Sequence, residues 1–351
     1  QAVLHDGDTV WRGGAETRWS GADGRYVDGG LSVFDGARWT ARPTGAAGGL
    51  GGGGVSSLAL GCDGDLWVGT GNMWDHQGSG VFVRAPGSDV HQPSADAWTR
   101  HRYPQLASSN TTSLAVDCER GVVLVGALHH VNNADTGGPV GQWSGGGLGI
   151  FDRSASTWSR YTVDDGLESF GREDITGEVT SVASSGGASF LAGTYGVTST
   201  SAAALVAKRP YWPAVLNELT GTHWQARVFE RSGMVSSIAT DAEGRTWVAT
   251  SLGGMARDTI SPDSWPATDV EGGLYVMQDG ALARLTAAGH GLPANDLSVV
   301  RVAPDGTIWV GTAGWGMARF DPRALPPTPT PDYGLPTRTV TPTRDPDEPT
   351  P

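Results

Sequence analysis

The chain has 351 residues, among them 53 Gly, 21 Pro, 14 Trp and 2 Cys, and 24 basic against 37 acidic side chains give a net charge of −13. So much Gly with only 17% charged residues argues against long helices and coiled coils, because Gly destabilises helix interiors. The negative balance repels phosphate backbones and sets nucleic-acid binding aside.

Apolar stretches such as Gly121–Leu128 are far too short to span a bilayer. No basic-then-apolar segment opens the sequence; an export signal would either have been removed or lie outside this sequence.

The predicted elements recur. The first unit opens with a shortened hairpin over Ala2–Gly13, with Trp11 in its second strand. A third strand, Gly30-Leu-Ser-Val-Phe34, and a fourth around Arg38-Trp39-Thr40 follow. The second unit reads Val55-Ser-Ser-Leu-Ala-Leu-Gly-Cys-Asp-Gly-Asp-Leu-Trp-Val-Gly-Thr70, a strand, a tight turn and a strand. Asp and Gly accept the backbone angles of such a reversal. Gly80-Val-Phe-Val83 and Ala97-Trp98-Thr99 complete it.

The third unit is a weaker copy over Thr111–Ala127, with Leu124 in the Trp position, then Gly147-Leu-Gly-Ile-Phe151 and Thr157-Trp158-Ser159. The fourth spans Val179–Thr194 with Leu191 as anchor and returns at His223-Trp224-Gln225. The fifth, Val235–Thr250 with Trp247, leads to Gly273-Leu-Tyr-Val276. The sixth, Leu297–Thr312 with Trp309, has a third strand at Met317–Phe320 and no Trp-centred fourth.

Anchors at positions 11, 67, 124, 191, 247 and 309 therefore recur every 56–67 residues. Four short strands per unit, repeated radially, is the pattern of a β-propeller. One blade cannot bury both of its faces, and stacking neighbours makes a continuous core. The expected fold is all-β: a six-bladed β-propeller of four-stranded antiparallel blades over residues 1–324. Trp11, Trp67, Trp247 and Trp309 are expected to pack between blades, with Gly69, Gly193 and Gly311 allowing close backbone approach or a bulge.

Residues 325–351 hold 9 Pro and 7 Thr, a composition that favours a disordered or extended linker or tether. Thr337–Thr341 is β-branched enough to return as the missing strand of the last blade. Strand addition by another chain and a solvated three-stranded edge are the alternatives.

The segment from Gly291-Leu-Pro-Ala-Asn-Asp to Phe320-Asp-Pro322 resembles the two-component-regulator propeller repeat. The likeness covers most of residues 1–322, more strongly in the first two and last two units. It implies an exported bacterial propeller that binds a ligand or partner without chemistry, in an extracellular, cell-surface or periplasmic location. No kinase, immunoglobulin-like module or membrane helix accompanies the repeat in this sequence, so signalling is not carried over. The repeat is also distantly similar to streptogramin-lyase-type propellers, which keeps a lyase or glycan-active enzyme open as an alternative.

Cys62 and Cys118 follow the first strands of consecutive units at equivalent points. Such a registered pair in an exported chain favours a disulfide, with two free thiols as the alternative. Asn110-Thr-Thr112 matches the N-glycosylation triplet, which also arises often by chance.

Chemistry is expected in the long second-to-third-strand loops, which carry Trp19, Tyr26, Trp74, His76, His129, His130, Trp143, Tyr211, Trp212 and Trp265; the short last loop carries Trp315. Aromatic rings beside polar side chains suit a protein or glycan. His129-His130, with His76 nearby, is the strongest metal or acid/base candidate. The helical spacing of a zinc site is missing, so no metal, cofactor or catalytic residue is assigned. A self-assembling structural subunit, joined through the tail or the open blade edge, is a third expectation.

Overall fold

The Val-Ser-Ser and Trp-Val-Gly-Thr phrases become the first and second strands of successive blades. The structure, a computed structural model, describes residues 2–14, 18–20, 25–27, 29–43, 50, 54–71, 78–86, 98–131, 141, 143–169, 177–185, 189–195, 213–229, 232–251, 272–278, 280–322 and 337–340. The fold is a six-bladed β-propeller of antiparallel blades, and the chain divides into two compact units, Gln1–Thr162 and Val163–Pro351.

In the first unit, blade one comprises β1 (Ala2–Asp6), β2 (Thr9–Gly14), β5 (Gly30–Phe34) and β6 (Trp39–Pro43), with β3 (Arg18–Ser20) and β4 (Arg25–Val27) forming a separate ribbon. Blade two is β7 (Val55–Leu60), β8 (Leu66–Thr70), β9 (Gly80–Arg84) and β10 (Trp98–His101). Blade three is β11 (Asn110–Asp117), β12 (Val122–Leu128), β15 (Gly147–Asp152) and β16 (Thr157–Tyr161); β13 (His130–Val131) and β14 (Trp143–Ser144) make a second ribbon.

In the second unit, blade four is β17 (Val179–Ser184), β18 (Ser189–Thr194), β19 (Ala214–Thr220) and β20 (His223–Phe229). Blade five is β21 (Met234–Thr240), β22 (Thr246–Ser251), β23 (Gly273–Gln278) and β24 (Ala281–Leu285). Blade six has β25 (Leu297–Val302), β26 (Ile308–Thr312) and β27 (Met317–Phe320), and β28 (Thr337–Val340) follows in the tail.

The destination of β28 corrects an expectation. It pairs antiparallel with β20, Trp224 opposite Val340 and Arg227 opposite Thr337, and makes blade four five-stranded rather than completing blade six. Its β-branched residues suit a strand, but nothing in them encodes which sheet edge they join.

Five first strands carry a bulge at the same place, between Val55/Ser57, Thr111/Ser113, Val179/Ser181, Val235/Ser237 and Leu297/Val299. The extra residue is always Ser or Thr: Ser56, Thr112, Thr180, Ser236 and Ser298. In the second unit these hydroxyls clasp adjacent blades. Thr180 Oγ1 lies 3.1 Å from Gly193 O in its own blade and 2.7 Å from Val235 O in the next. Ser236 Oγ repeats this with Ala249 O at 3.0 Å and Leu297 O at 2.7 Å.

The core forms where the anchor row of one blade meets the next. Trp11 packs with Val55, Leu66, Val68 and Phe82 of blade two. The Trp67 ring lies 5.4 Å from Phe151 of blade three. Trp247 joins Val300, Ile308 and Val310 of blade six. A Cβ at Gly13 would collide with Val55, and one at Gly193 with Val235. These glycines therefore set how closely the next first strand approaches. Gly193→Ala is expected to cost about 2 kcal/mol through overpacking, read as a lowered denaturant midpoint with unchanged slope.

Trp309 departs from the packing expectation and is 40% exposed. Its row partners are Arg301 and Arg319, where Trp247 has Ala239 and Val276. The Arg319 guanidinium lies over the Trp309 ring at 5.9 Å.

Blades two and three are stapled as expected by Cys62–Cys118, with a Cα separation of 5.5 Å. Beside it Arg153 of blade three reaches back to Asp63 at 2.7 Å and Asp65 at 2.9 Å. Asp65 also accepts the Trp67 indole N–H at 2.6 Å. These carboxylates, Asp65 first, hold Arg153 more firmly protonated than usual.

His101, at the end of β10, sits among Trp67, Phe151 and Trp158 and accepts the Trp158 indole N–H at 3.2 Å. Burial holds its pKa below the ordinary 6.5, with Gln105 pulling it partly back. The unfolded chain therefore binds more protons than the folded one in the window below that value. Stability from this site is complete above 6.5 and is lost as pH falls towards the folded value. Melting temperature is expected to fall between about pH 7.5 and 5.5, and less steeply in His101→Gln.

Candidate functional site

Loops between second and third strands are held at their roots by the Thr that ends the repeated phrase. In blade two, Thr70 Oγ1 accepts from Ser79 N at 2.9 Å and donates to Gly80 O at 2.8 Å. In blade four, Thr194 Oγ1 accepts from Val215 N at 3.2 Å and lies 3.4 Å from Val215 O. In blade five, Thr250 takes Gly273 N at 3.1 Å and reaches Gly273 O at 3.2 Å. In blade six, Thr312 takes Trp315 N at 2.9 Å and gives to Gly316 O at 2.7 Å.

In these four blades one hydroxyl thus closes the loop by serving a backbone donor and a backbone acceptor at its root. Blades one and three have Gly14 and Ala127 in that place. Their loops continue as the ribbons β3–β4 and β13–β14. The recurrent Gly-Thr ending carried this signal in the sequence, where it reads only as the end of a strand.

Among the sequence candidates, Trp315 stands out. Its ring is 70% exposed on a turn whose backbone Thr312 fixes. Trp19 and Tyr26 lie on β3 and β4 as Cα partners, and Trp143 lies on β14 opposite Val131. Trp74, His76, Tyr211, Trp212 and Trp265 lie outside the described residues.

His129 and His130 are enclosed rather than carried on an open loop, at 3% and 0% exposure, because the chain runs from β12 into β13 there. His130 Nδ1 is 2.8 Å from Ser108 Oγ, which also accepts Asn110 N at 3.0 Å. Asn110 is fully buried, and its side-chain nitrogen donates to His129 O at 3.2 Å. A glycan on that nitrogen would have to displace this packing, so the folded chain has no room for one.

Ser108 and His130 have the spacing of a nucleophile and base, but both are sealed from substrate. Among the described residues no three His, Cys, Asp or Glu side chains converge as metal ligands. Among them, too, no helix is long and apolar enough to cross a membrane.

No protein-family model matches the sequence, and no curated protein matches it. Solved structures do. Over 91% of its length the chain is similar to the extracellular domain of the proposed one-component system BT4673 of B. thetaiotaomicron, with a TM-score of 0.50 and 14% identity. It spans only 38% of that chain. The WD40 β-propeller domain of Doa1 is similar over 92% of this chain and 78% of its own, with a TM-score of 0.49 and 13% identity. PorZ, a surface component of the type-IX secretion system of Porphyromonas gingivalis, is similar over 90% of this chain and 45% of its own, at 0.43 and 16%. At these identities the likeness to the BT4673 domain bears on architecture alone.

Proposed function

We propose that this chain is a noncatalytic propeller working outside the cytoplasm, which recognises a protein or glycan through its second-to-third-strand loops. The observation that carries the proposal is Trp315, a large ring held in solvent on a turn pinned by Thr312. Such a ring offers a broad contact at small entropic cost. The Cys62–Cys118 disulfide supports an oxidising location. The burial of His129 and His130, at 3% and 0% exposure, favours this reading over a lyase that uses them.

The test is to pass the full chain over arrays of polysaccharides and purified envelope proteins. A specific ligand is expected, and Trp315→Ala should weaken it at least tenfold, roughly the effect of removing a binding hot spot, without lowering the melting temperature. Turnover of an arrayed glycan, or binding indifferent to Trp315→Ala, would overturn the proposal.

A further inference from the structure

In four blades the fourth strand sets a Trp directly across from the last core position of the third. The pairs are Phe34–Trp39, Arg84–Trp98, Phe151–Trp158 and Leu219–Trp224. The contacts are intimate: ring centroids are 5.4 Å apart for Phe34–Trp39 and 5.0 Å for Phe151–Trp158, and the Arg84 guanidinium lies 5.9 Å over Trp98.

Blade six repeats the third-strand phrase, Gly316-Met-Ala-Arg-Phe320 beside Gly30-Leu-Ser-Val-Phe34 and Gly147-Leu-Gly-Ile-Phe151. It also repeats the register, since Ile308 opposes Phe320 as Val10 opposes Phe34 and Val123 opposes Phe151. Ala318 and Phe320 already lean on the core shared by blades five and six. Yet among the described residues the sheet ends at β27, with no strand beyond Phe320.

The chain's own continuation is poorly made to supply that strand. The Trp stands five, fourteen, seven and five residues past its partner in those four blades; the matching positions after Phe320 are Leu325, Gly334 and Pro327, none of them aromatic, in a stretch with prolines at 326, 327, 329 and 331. Proline has no N–H to give to a ladder. The next β-branched segment, β28, pairs with β20.

We propose that the outer edge of β27 is a strand-addition site for a separate protein, which supplies an extended segment with an aromatic residue opposite Phe320. The backbone ladder would give affinity, and the vacant aromatic position would give register. The inference goes beyond loop-borne recognition, and neither depends on the other.

The test uses the full chain and a synthetic peptide copying blade three's fourth strand, Ala-Ser-Thr-Trp-Ser-Arg-Tyr-Thr, residues 155–162. In the register of blade three it places Trp opposite Phe320 and Ser opposite Arg319. Peptide is expected to slow exchange of those amides in Met317–Phe320 that point away from β26, which exchange fast without it, while the amides bonded to β26 and those of β20 are unaffected. Replacing the peptide's Trp with Ala, or Phe320→Ala in the protein, should weaken binding roughly tenfold.

The peptide substitution keeps the test independent of whether Phe320→Ala folds. Slow exchange of the outward-pointing β27 amides without peptide would mean that this chain already fills its own edge, and would overturn the proposal. So would unchanged exchange at millimolar peptide, or protection indifferent to the aromatic residue.

Discussion

Trp247→Ala is expected to lower the unfolding free energy by about 4 kcal/mol, the scale of a large aromatic removed from a core. Trp247 is fully buried and meets Leu274 and Val276 of its own blade and Val300, Ile308 and Val310 of the next. Truncation therefore opens a void that both blades must relax to fill. The indole N–H also donates to Asp241 Oδ2 at 2.8 Å, an oxygen that takes Arg245 Nε at 2.7 Å as well. Trp247→Phe keeps most of the volume and loses this donor, so it should cost only about 1–2 kcal/mol. Urea unfolding of both variants separates packing from hydrogen bonding. A loss under about 1 kcal/mol for Trp247→Ala would contradict the inter-blade role of the anchor.

The second large effect is expected at the disulfide. Cys62 and Cys118 are separated by 56 positions, and closing a loop of that size restricts the unfolded chain by about 4 kcal/mol on the chain-entropy account. Cys62→Ser with Cys118→Ser should lower stability by that order. The folded chain should persist, because the Arg153 pairs with Asp63 and Asp65 still join the same two blades. The measurement is denaturant unfolding with and without reductant. Wild-type protein in reductant should match the double variant, and no difference between oxidised and reduced protein would contradict the staple.

Where the sequence proved legible, the signal was local and repeated. Trp11, Trp67 and Trp247 recur with the turn chemistry around them, so both the blade and its core position could be read from spacing. The disulfide was legible because two equivalent turns each carried one Cys.

Trp309 repeats the same phrase, yet its cross-strand neighbours are Arg301 and Arg319, which the phrase itself does not specify. The hydroxyl clasps of Thr180 and Ser236 were present as a Ser or Thr in every bulged strand. Their meaning needs the register, because a bulge re-aims the side chain towards the next blade. His129 and His130 read as loop residues from the sequence because the short pairing of β13 with β14 has no strong sequence pattern. The partner of β28 is a non-local choice between sheet edges, which composition does not determine.

The count and phasing of the blades underlie every functional statement here, since they decide which residues are strands and which are presented by loops. Residue-resolved amide exchange on the native chain tests them most directly. Six blocks of slow amides are expected, centred on Thr9–Gly14, Leu66–Thr70, Val122–Leu128, Ser189–Thr194, Thr246–Ser251 and Ile308–Thr312. Fewer than six blocks, or slow amides out of phase with those second strands, would contradict the account.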